Sequence, residues 1–323
     1  MATVKDVALR AGVSLGSVSN YLNGKRLKPK TASRIKKAMD ELDYHQNIIA
    51  SGLKKNKSMS IGIVVNSLTD FFSMSIVSEI ENYVENYGYS IIICDCREDK
   101  QRFEEKIEFL LNRSIDAIVV FHQDESSPML EKVVEQAVPI VAIDAPIHGI
   151  QSDVVLVNNY ESSREGVVDL INRGYQKIGI ISGQSRNYIS RERQGGYEDA
   201  LREHDLPINQ QYIWQGNYTI QSGVEGATRL LTKHPEIEAL FVINYYMSLG
   251  ALKALRQNFS KRHVEMLVFD HFFVNDIFYP SISSIEQPVA TIGKTAGRLL
   301  IERLVKGKEG NYETIYCKNS LRT

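Results

Sequence analysis

Two sets of side chains in this sequence are of the kinds that engage another molecule. The first lies near the start: Thr3, Ser14, Ser17, Ser19, Asn20 and Asn23, followed by the pair Lys25-Arg26. Small hydroxyls, amides and cations hold phosphates and read base edges in a DNA major groove. The second set recurs just after short apolar runs: Asn66 through Phe72, Asp144, Asn158, Ser182 to Arg193, Tyr218, Asn244 to Tyr246, and Asp270. At the carboxyl ends of parallel strands, such groups surround a small ligand in a cleft. One motif points elsewhere. Gly12-Val13-Ser14-Leu15-Gly16 has the G-x-S-x-G spacing of a hydrolase nucleophile elbow, which requires a buried strand before the serine. An amphipathic helical pattern precedes it and leaves no room upstream for a sheet, so Ser14 reads as a helix cap. There is no P-loop, G-x-G-x-x-G, H-E-x-x-H or CxxC, and the seven histidines are scattered. No enzyme, metal or cofactor is expected.

The elements that would position the first set form a small cationic head. Residues 1–57 hold twelve Lys/Arg against four acids, a net charge of +8, while the remaining 266 residues carry 26 bases and 35 acids, or −9. A basic head on an acidic body predicts that only the head meets a polyanion. Thr3 with Asp6 gives a capping-box-like start, and Val4, Val7, Ala8 and Ala11 mark one helical face. Gly12 ends that helix. Ser14 caps a second, with Val18 and Leu22 inside, which Asn23-Gly24 ends. A third is predicted from about Thr31 to Leu42, with Ile35, Ala38, Met39 and Leu42 on one side. Two short helices across a glycine turn, braced by a third, make a helix-turn-helix.

Beyond residue 57, continuous apolar runs alternate with amphipathic stretches. The runs are Ile61–Val65, Ile91–Cys94, Ala117–Phe121, Ile140–Ile143, Ile178–Ile181, Ala239–Ile243 and Leu267–Phe269. Unalternating β-branched runs read as strands of parallel sheets covered on both faces. Helices are predicted over Ser73–Asn86, Glu104–Asn112, Ser162–Arg173, Gln194–Glu203, Ser222–Thr232 and 289–305. Repeated βα units over this length predict an α/β class with two doubly wound sheets. No apolar run approaches the roughly 18 residues a membrane helix needs. The opening MATVKDVALRAG has no apolar signal core, and three cysteines (Cys94, Cys96, Cys317) lack metal spacing, so a reduced cytoplasmic setting is expected.

The segments TVKDVALRAGVS, VSNYLNG, a Pro-x-Thr before helix three, ELDYHQN and NIIASGL resemble the lactose-repressor family of bacterial transcription regulators. The likeness continues through SIGIVVNSLTDFFSMSIVSEIENYVENYGY, GYQKIGIISG, RERQGGYEDAL, FDH and PSISSIEQPVATIGKTAGRLLIERL. It implies a head over 1–45 and a hinge over 46–57. A periplasmic-binding-like core would fill 58–323, with one lobe over 58–157 plus 288–312 and the other over 158–287 plus 313–323. In the family the hinge enters the minor groove, so Tyr44, Asn47, Ala50, Leu53 and Lys54 join the DNA-contacting residues; Leu53 matches the leucine wedged between base pairs. Eight residues (47–54) are too few for a stable isolated helix, and Gly52 lowers its propensity further. Arg193 matches the family's cleft arginine, Asp270 its late aspartate, Phe71 and Phe72 its aromatic pair, and Tyr218 an aromatic that stacks on the effector. Asn158 stands where an aspartate is usual, and Tyr245, after Asn244, replaces another. Those exchanges predict a less acidic, more aromatic pocket, suited to a glycoside, sugar phosphate or other carbohydrate derivative. The implied function is a dimeric repressor of carbohydrate-utilisation genes on operator DNA, controlled by that effector; a tetramer is the larger symmetric alternative. A global catabolite regulator governed by a phosphocarrier protein is the second reading.

Overall fold

A computed structural model of the chain describes residues 2–22, 25–44, 57–121, 127–277 and 282–323. It divides into two compact units, Met1–Ser58 and Met59–Thr323.

The first unit holds α1 (Val4–Ala11), α2 (Leu15–Leu22) and α3 (Pro29–Glu41) around Val7, Val18 and Ile35, which are wholly buried. Thr3 and Asp6 close a complete capping box on α1, and Gly12 ends the helix in the left-handed region at φ 59°. The third helix begins two residues earlier than its apolar pattern suggests. Pro29 sits in its first turn, where a missing N–H costs nothing and a fixed φ helps.

The second unit has two lobes, each an open six-stranded sheet. The strands are β1 (Ser60–Val65), β2 (Ser90–Asp95), β3 (Ala117–Phe121), β4 (Ile140–Ile143), β5 (Asp153–Val157), β6 (Ile178–Ser182), β7 (Ile213–Gln215), β8 (Ala239–Val242), β9 (Glu265–Phe269), β10 (Ser283–Glu286), β11 (Thr314–Cys317) and β12 (Ser320–Arg322). Sheet one runs β11-β5-β4-β3-β1-β2 and sheet two β12-β10-β9-β8-β6-β7; of all these pairings only β10 with β12 is antiparallel. The expected class, a three-helix head followed by two doubly wound lobes, is the architecture found.

The helices between strands are α4 (Phe71–Val84), α5 (Lys100–Leu111), α6 (Pro128–Glu135), α7 (Asn159–Asn172), α8 (Tyr188–Glu203), α9 (Ile220–Lys233), α10 (Tyr245–Asn258) and α11 (Val289–Leu304). Helices α9 and α10 approach so closely that a Cβ on Gly250 would lie 2.0 Å from the Ile220 carbonyl oxygen, so only glycine fits there.

The chain crosses between lobes three times: after β5, after β10 and after β11. The last crossing is later than expected. The family resemblance places residues 314–317 in the second lobe, yet β11 pairs in parallel with β5 of the first, Thr314 opposite Val154. Burial explains this: Cys317 is 4% exposed in the first-lobe core, with Ile315 packed against it, so only β12 joins the second sheet.

Candidate functional site

In the head, α2 carries the expected DNA-contacting residues Ser17, Ser19 and Asn20. Ser14 Oγ accepts the Ser17 amide at 3.2 Å and lies 2.9 Å from Ser17 Oγ, so the two hydroxyls form the start of α2. The residue before it belongs to a helix turn and not to a strand, which disposes of a nucleophile elbow. Leu15 and Gly16 are exposed at the amino end of α2, Ser17, Ser19 and Asn20 are half-buried along it, and Lys25 and Arg26 are exposed beyond it. Thr3 is committed to α1: its hydroxyl and amide both donate to Asp6, which holds that carboxyl below its ordinary range. Tyr44 packs against the head core. The Arg34 guanidinium donates to the Gly12 carbonyl at 2.9 Å, bracing the turn between α1 and α2; residue type gave no hint of that contact. Asn23, Asn47, Ala50, Leu53 and Lys54 lie outside the described residues.

In the second unit, a cleft of about 830 Å³ opens between the lobes. The amino ends of six helices meet there, and their caps Asp70, Asp99, Ser127, Asn187, Thr219 and Asn244 all line it. Doubly wound sheets place helix starts at the carboxyl edge of the strands, so two facing lobes aim both sets into one space. Backbone dipoles make such ends electropositive.

Arg193 on α8 is the deepest cation, 4% exposed. Its Nε donates to Asn159 Oδ1 at 2.8 Å and Nη1 to the Ile243 carbonyl at 2.6 Å, while the guanidinium carbon sits 3.6 Å from the centre of the Phe269 ring. Burial pulls its pKa down, opposed by the charges of Asp270 and Asp144. Asp270, 5% exposed, accepts from Gln287 Nε2. Burial pushes its carboxyl up to about 6, against the pull of Arg193 and of that hydrogen bond. Gln287 Oε1 is buried with no hydrogen-bond partner among the described residues. The group thus offers guanidinium donors beside carboxylate and amide acceptors, a match for adjacent hydroxyls.

The remaining predicted residues divide. Phe72, Tyr218, Asn244 and Tyr245 join Arg193 and Asp270 on the cleft wall. Tyr218, at φ 64°, is hydrogen-bonded to Ser190 Oγ. Asn244 Oδ1 accepts the Met247 amide as the cap of α10, and Tyr245 meets Phe272 edge-on at 4.5 Å. Phe71 is not part of the wall; it stands 44% exposed with its ring edge-on to Phe272 at 4.6 Å. Asn158 is also absent from it. Its Oδ1 accepts the Asn319 amide at 2.9 Å, tying the first interlobe crossing to the third. Seven Phe or Tyr residues line the cleft. Its carboxylates, Asp70, Glu98, Asp99, Glu104, Asp144 and Asp270, outnumber its cations Lys100, Arg186 and Arg193. Gln287 and Phe272 carry no local sequence signal, because neither directly follows an apolar run. The group from Glu98 to Glu104 follows β2 and was accessible to the strand-end rule.

The molecule is thus of the class that joins a DNA-reading head to a two-lobed ligand-binding body. Residues 3–47 match the model for bacterial regulatory proteins of the lacI family, and residues 58–320 match that for periplasmic binding proteins and the sugar binding domain of the LacI family. The chain belongs to the LacI family, and it is a DNA-binding transcriptional repressor with an effector-binding core, not an enzyme. It is 31% identical over 313 residues to the HTH-type transcriptional repressor PurR of Vibrio parahaemolyticus serotype O3:K6 (strain RIMD 2210633), covering 96% of this chain and 93% of that one. Among solved structures it resembles the transcriptional regulator CelR–cellobiose complex (25% identity, TM-score 0.75, 100% and 99% covered). The Lac repressor dimer bound to operator and the anti-inducer ONPF shares its fold (23% identity, TM-score 0.84, 100% and 98% covered). No helix among the described residues is long and apolar enough to cross a membrane.

Proposed function

We propose that the protein is a cytoplasmic homodimer that represses carbohydrate-utilisation genes and whose operator affinity is set by a sugar-like effector in the interlobe cleft. The observation that carries this reading is the buried group of Arg193, Asp270 and Gln287. It presents donors and acceptors side by side at the base of an aromatic-lined space. Adjacent hydroxyls satisfy such a group, and the apolar face of a pyranose ring packs against aromatic side chains. A cleft of about 830 Å³ admits a disaccharide or glycoside as readily as a single ring. The cellobiose held by the similar CelR regulator supports the same class.

On DNA, two heads related by a two-fold axis would each read one half-site of a pseudo-palindrome, as a helix-turn-helix dimer does. Effector binding would change the lobe arrangement and so the placement of the two heads, with a coupling of about 1–3 kcal/mol. Calorimetric titration against monosaccharides, disaccharides, sugar phosphates, nucleobases and nucleosides tests the effector class. Binding of one carbohydrate class with loss of binding in Arg193→Met is expected. Tight binding of a purine or nucleoside alone would overturn the assignment.

A further inference from the structure

Tyr246 is the second residue of α10 in the second lobe, yet its hydroxyl belongs to the first. It donates to the Thr69 carbonyl at 2.8 Å and accepts from the Phe71 amide at 3.3 Å. Those two groups flank Asp70, the cap of α4, whose carboxylate already takes the Ser73 amide and hydroxyl. Amides in the first turn of a helix have no acceptor within that helix. Here the opposite lobe supplies one for Phe71. A ring contact runs alongside, with Phe272 of the second lobe edge-on to Phe71 of the first at 4.6 Å and to Tyr245 at 4.5 Å. Tyr245 and Tyr246 are edge-to-face in turn, at 5.4 Å.

We propose that Tyr246 is an interlobe latch: a positioning residue that caps α4 from the other lobe and sets the balance between closed and open cleft. Separating the lobes must break both of its hydrogen bonds and the Phe71–Phe272 contact together. In the open arrangement all three polar groups would reach water, so the net preference for closure is modest. A modest latch suits a sensor, because an effector of ordinary differential affinity can still move the balance. The latch rests on contacts between residues of this chain and not on the sugar reading; that reading only says which ligand would exploit it.

Two substitutions remove the latch by different routes. Tyr246→Phe keeps the ring and deletes the hydroxyl. Phe71→Pro deletes the amide donor, and proline is tolerated at the first position of a helix, especially as Asp70 already has the extended backbone (ψ 114°) that a residue before proline needs. Both are made in the full chain, and neither measurement uses a ligand. Hydrogen exchange of the Phe71 amide in Tyr246→Phe should speed up roughly 2- to 10-fold, while core amides such as that of Ala251 keep their rates. Small-angle scattering should show both variants shifted to a larger radius of gyration. An unchanged Phe71 exchange rate in Tyr246→Phe would overturn the latch. So would scattering curves of the two variants that superpose on that of the wild type, or uniform acceleration of all amides, which would mark Tyr246 as merely structural.

Discussion

Replacing Asp270 with asparagine should make the protein more stable at neutral pH while destroying its response to effector. The carboxyl is buried at 5% exposure, and its pKa is raised to about 6 from an ordinary 3.8. Burial is the largest cause; Arg193 and Gln287 only partly offset it. Between those two values the folded protein binds a proton that the unfolded chain has released, so stability falls as pH rises from 3.8 through 6. At 1.36 kcal/mol per pH unit, the gap is worth about 3 kcal/mol, a cost fully present above pH 6 and absent below 3.8. An asparagine of the same shape can still accept from Gln287 Nε2 and carries no charge to desolvate. Urea unfolding of wild type and Asp270→Asn across pH 4 to 8 isolates this group from every other carboxylate by difference. Asp270→Asn should gain on the wild type through that window and lead by about 3 kcal/mol at pH 7.5. Parallel profiles, or a less stable variant at pH 7.5, would refute the claim that this carboxylate is held at the protein's expense. Stability given up at a buried charged group is expected where that group serves a ligand.

Three further outcomes follow from other parts of the chain. Arg303 and Asp153 form a two-pronged ion pair at 2.8 Å, with side chains 5% and 1% exposed, so Arg303→Met strands a buried carboxylate and should cost about 3–5 kcal/mol in urea unfolding; adding Asp153→Asn should recover part of it. Gly12→Ala places a Cβ in the left-handed region and 2.5 Å from Arg34 Nη2, which should cost the head about 1–2 kcal/mol and speed amide exchange at Val7 and Val18; unchanged exchange would contradict the role of that turn. If a dimer of heads neutralises about eight phosphates, log affinity for operator should fall with log salt at a slope near −7, read from binding isotherms between 50 and 200 mM; a slope near zero would exclude phosphate-driven docking.

Apolar periodicity locates most helices of the body but starts each of them late except the last, where pattern and α11 both begin at Val289. The pattern of the helix after β1 begins at Ser73, while α4 starts at Phe71; that after β6 begins at Gln194, while α8 starts at Tyr188. The reason is physical. Periodicity marks only the turns that touch the core, and the first turns of these helices face the cleft with polar caps and ligand-facing side chains. The apolar pattern is therefore weakest at the turns that line the cleft. The apolar pattern misses strand β5 because its run opens on Asp153, a charge accommodated in the core by Arg303, 150 residues away, and by the Glu313 amide. The three short strands β7, β11 and β12, of three to four residues each, carry too little pattern to register. Arg193 and Asp270 were legible from local motifs. Gln287, the Asn158–Asn319 tie and the reach of Tyr246 into the other lobe depend on the pairing of distant segments, which no local spacing encodes.

Whether the DNA-reading head answers to the occupancy of the interlobe cleft can be decided by selecting duplex DNA from a random pool with the full chain and then measuring affinity for the enriched site with and without each sugar of the panel. A single pseudo-palindromic site should emerge, and one carbohydrate should change its affinity by roughly 5- to 150-fold, an effect absent in Arg193→Met. Equal enrichment by a chain lacking residues 1–57, or an operator affinity that no cleft ligand alters, would contradict it.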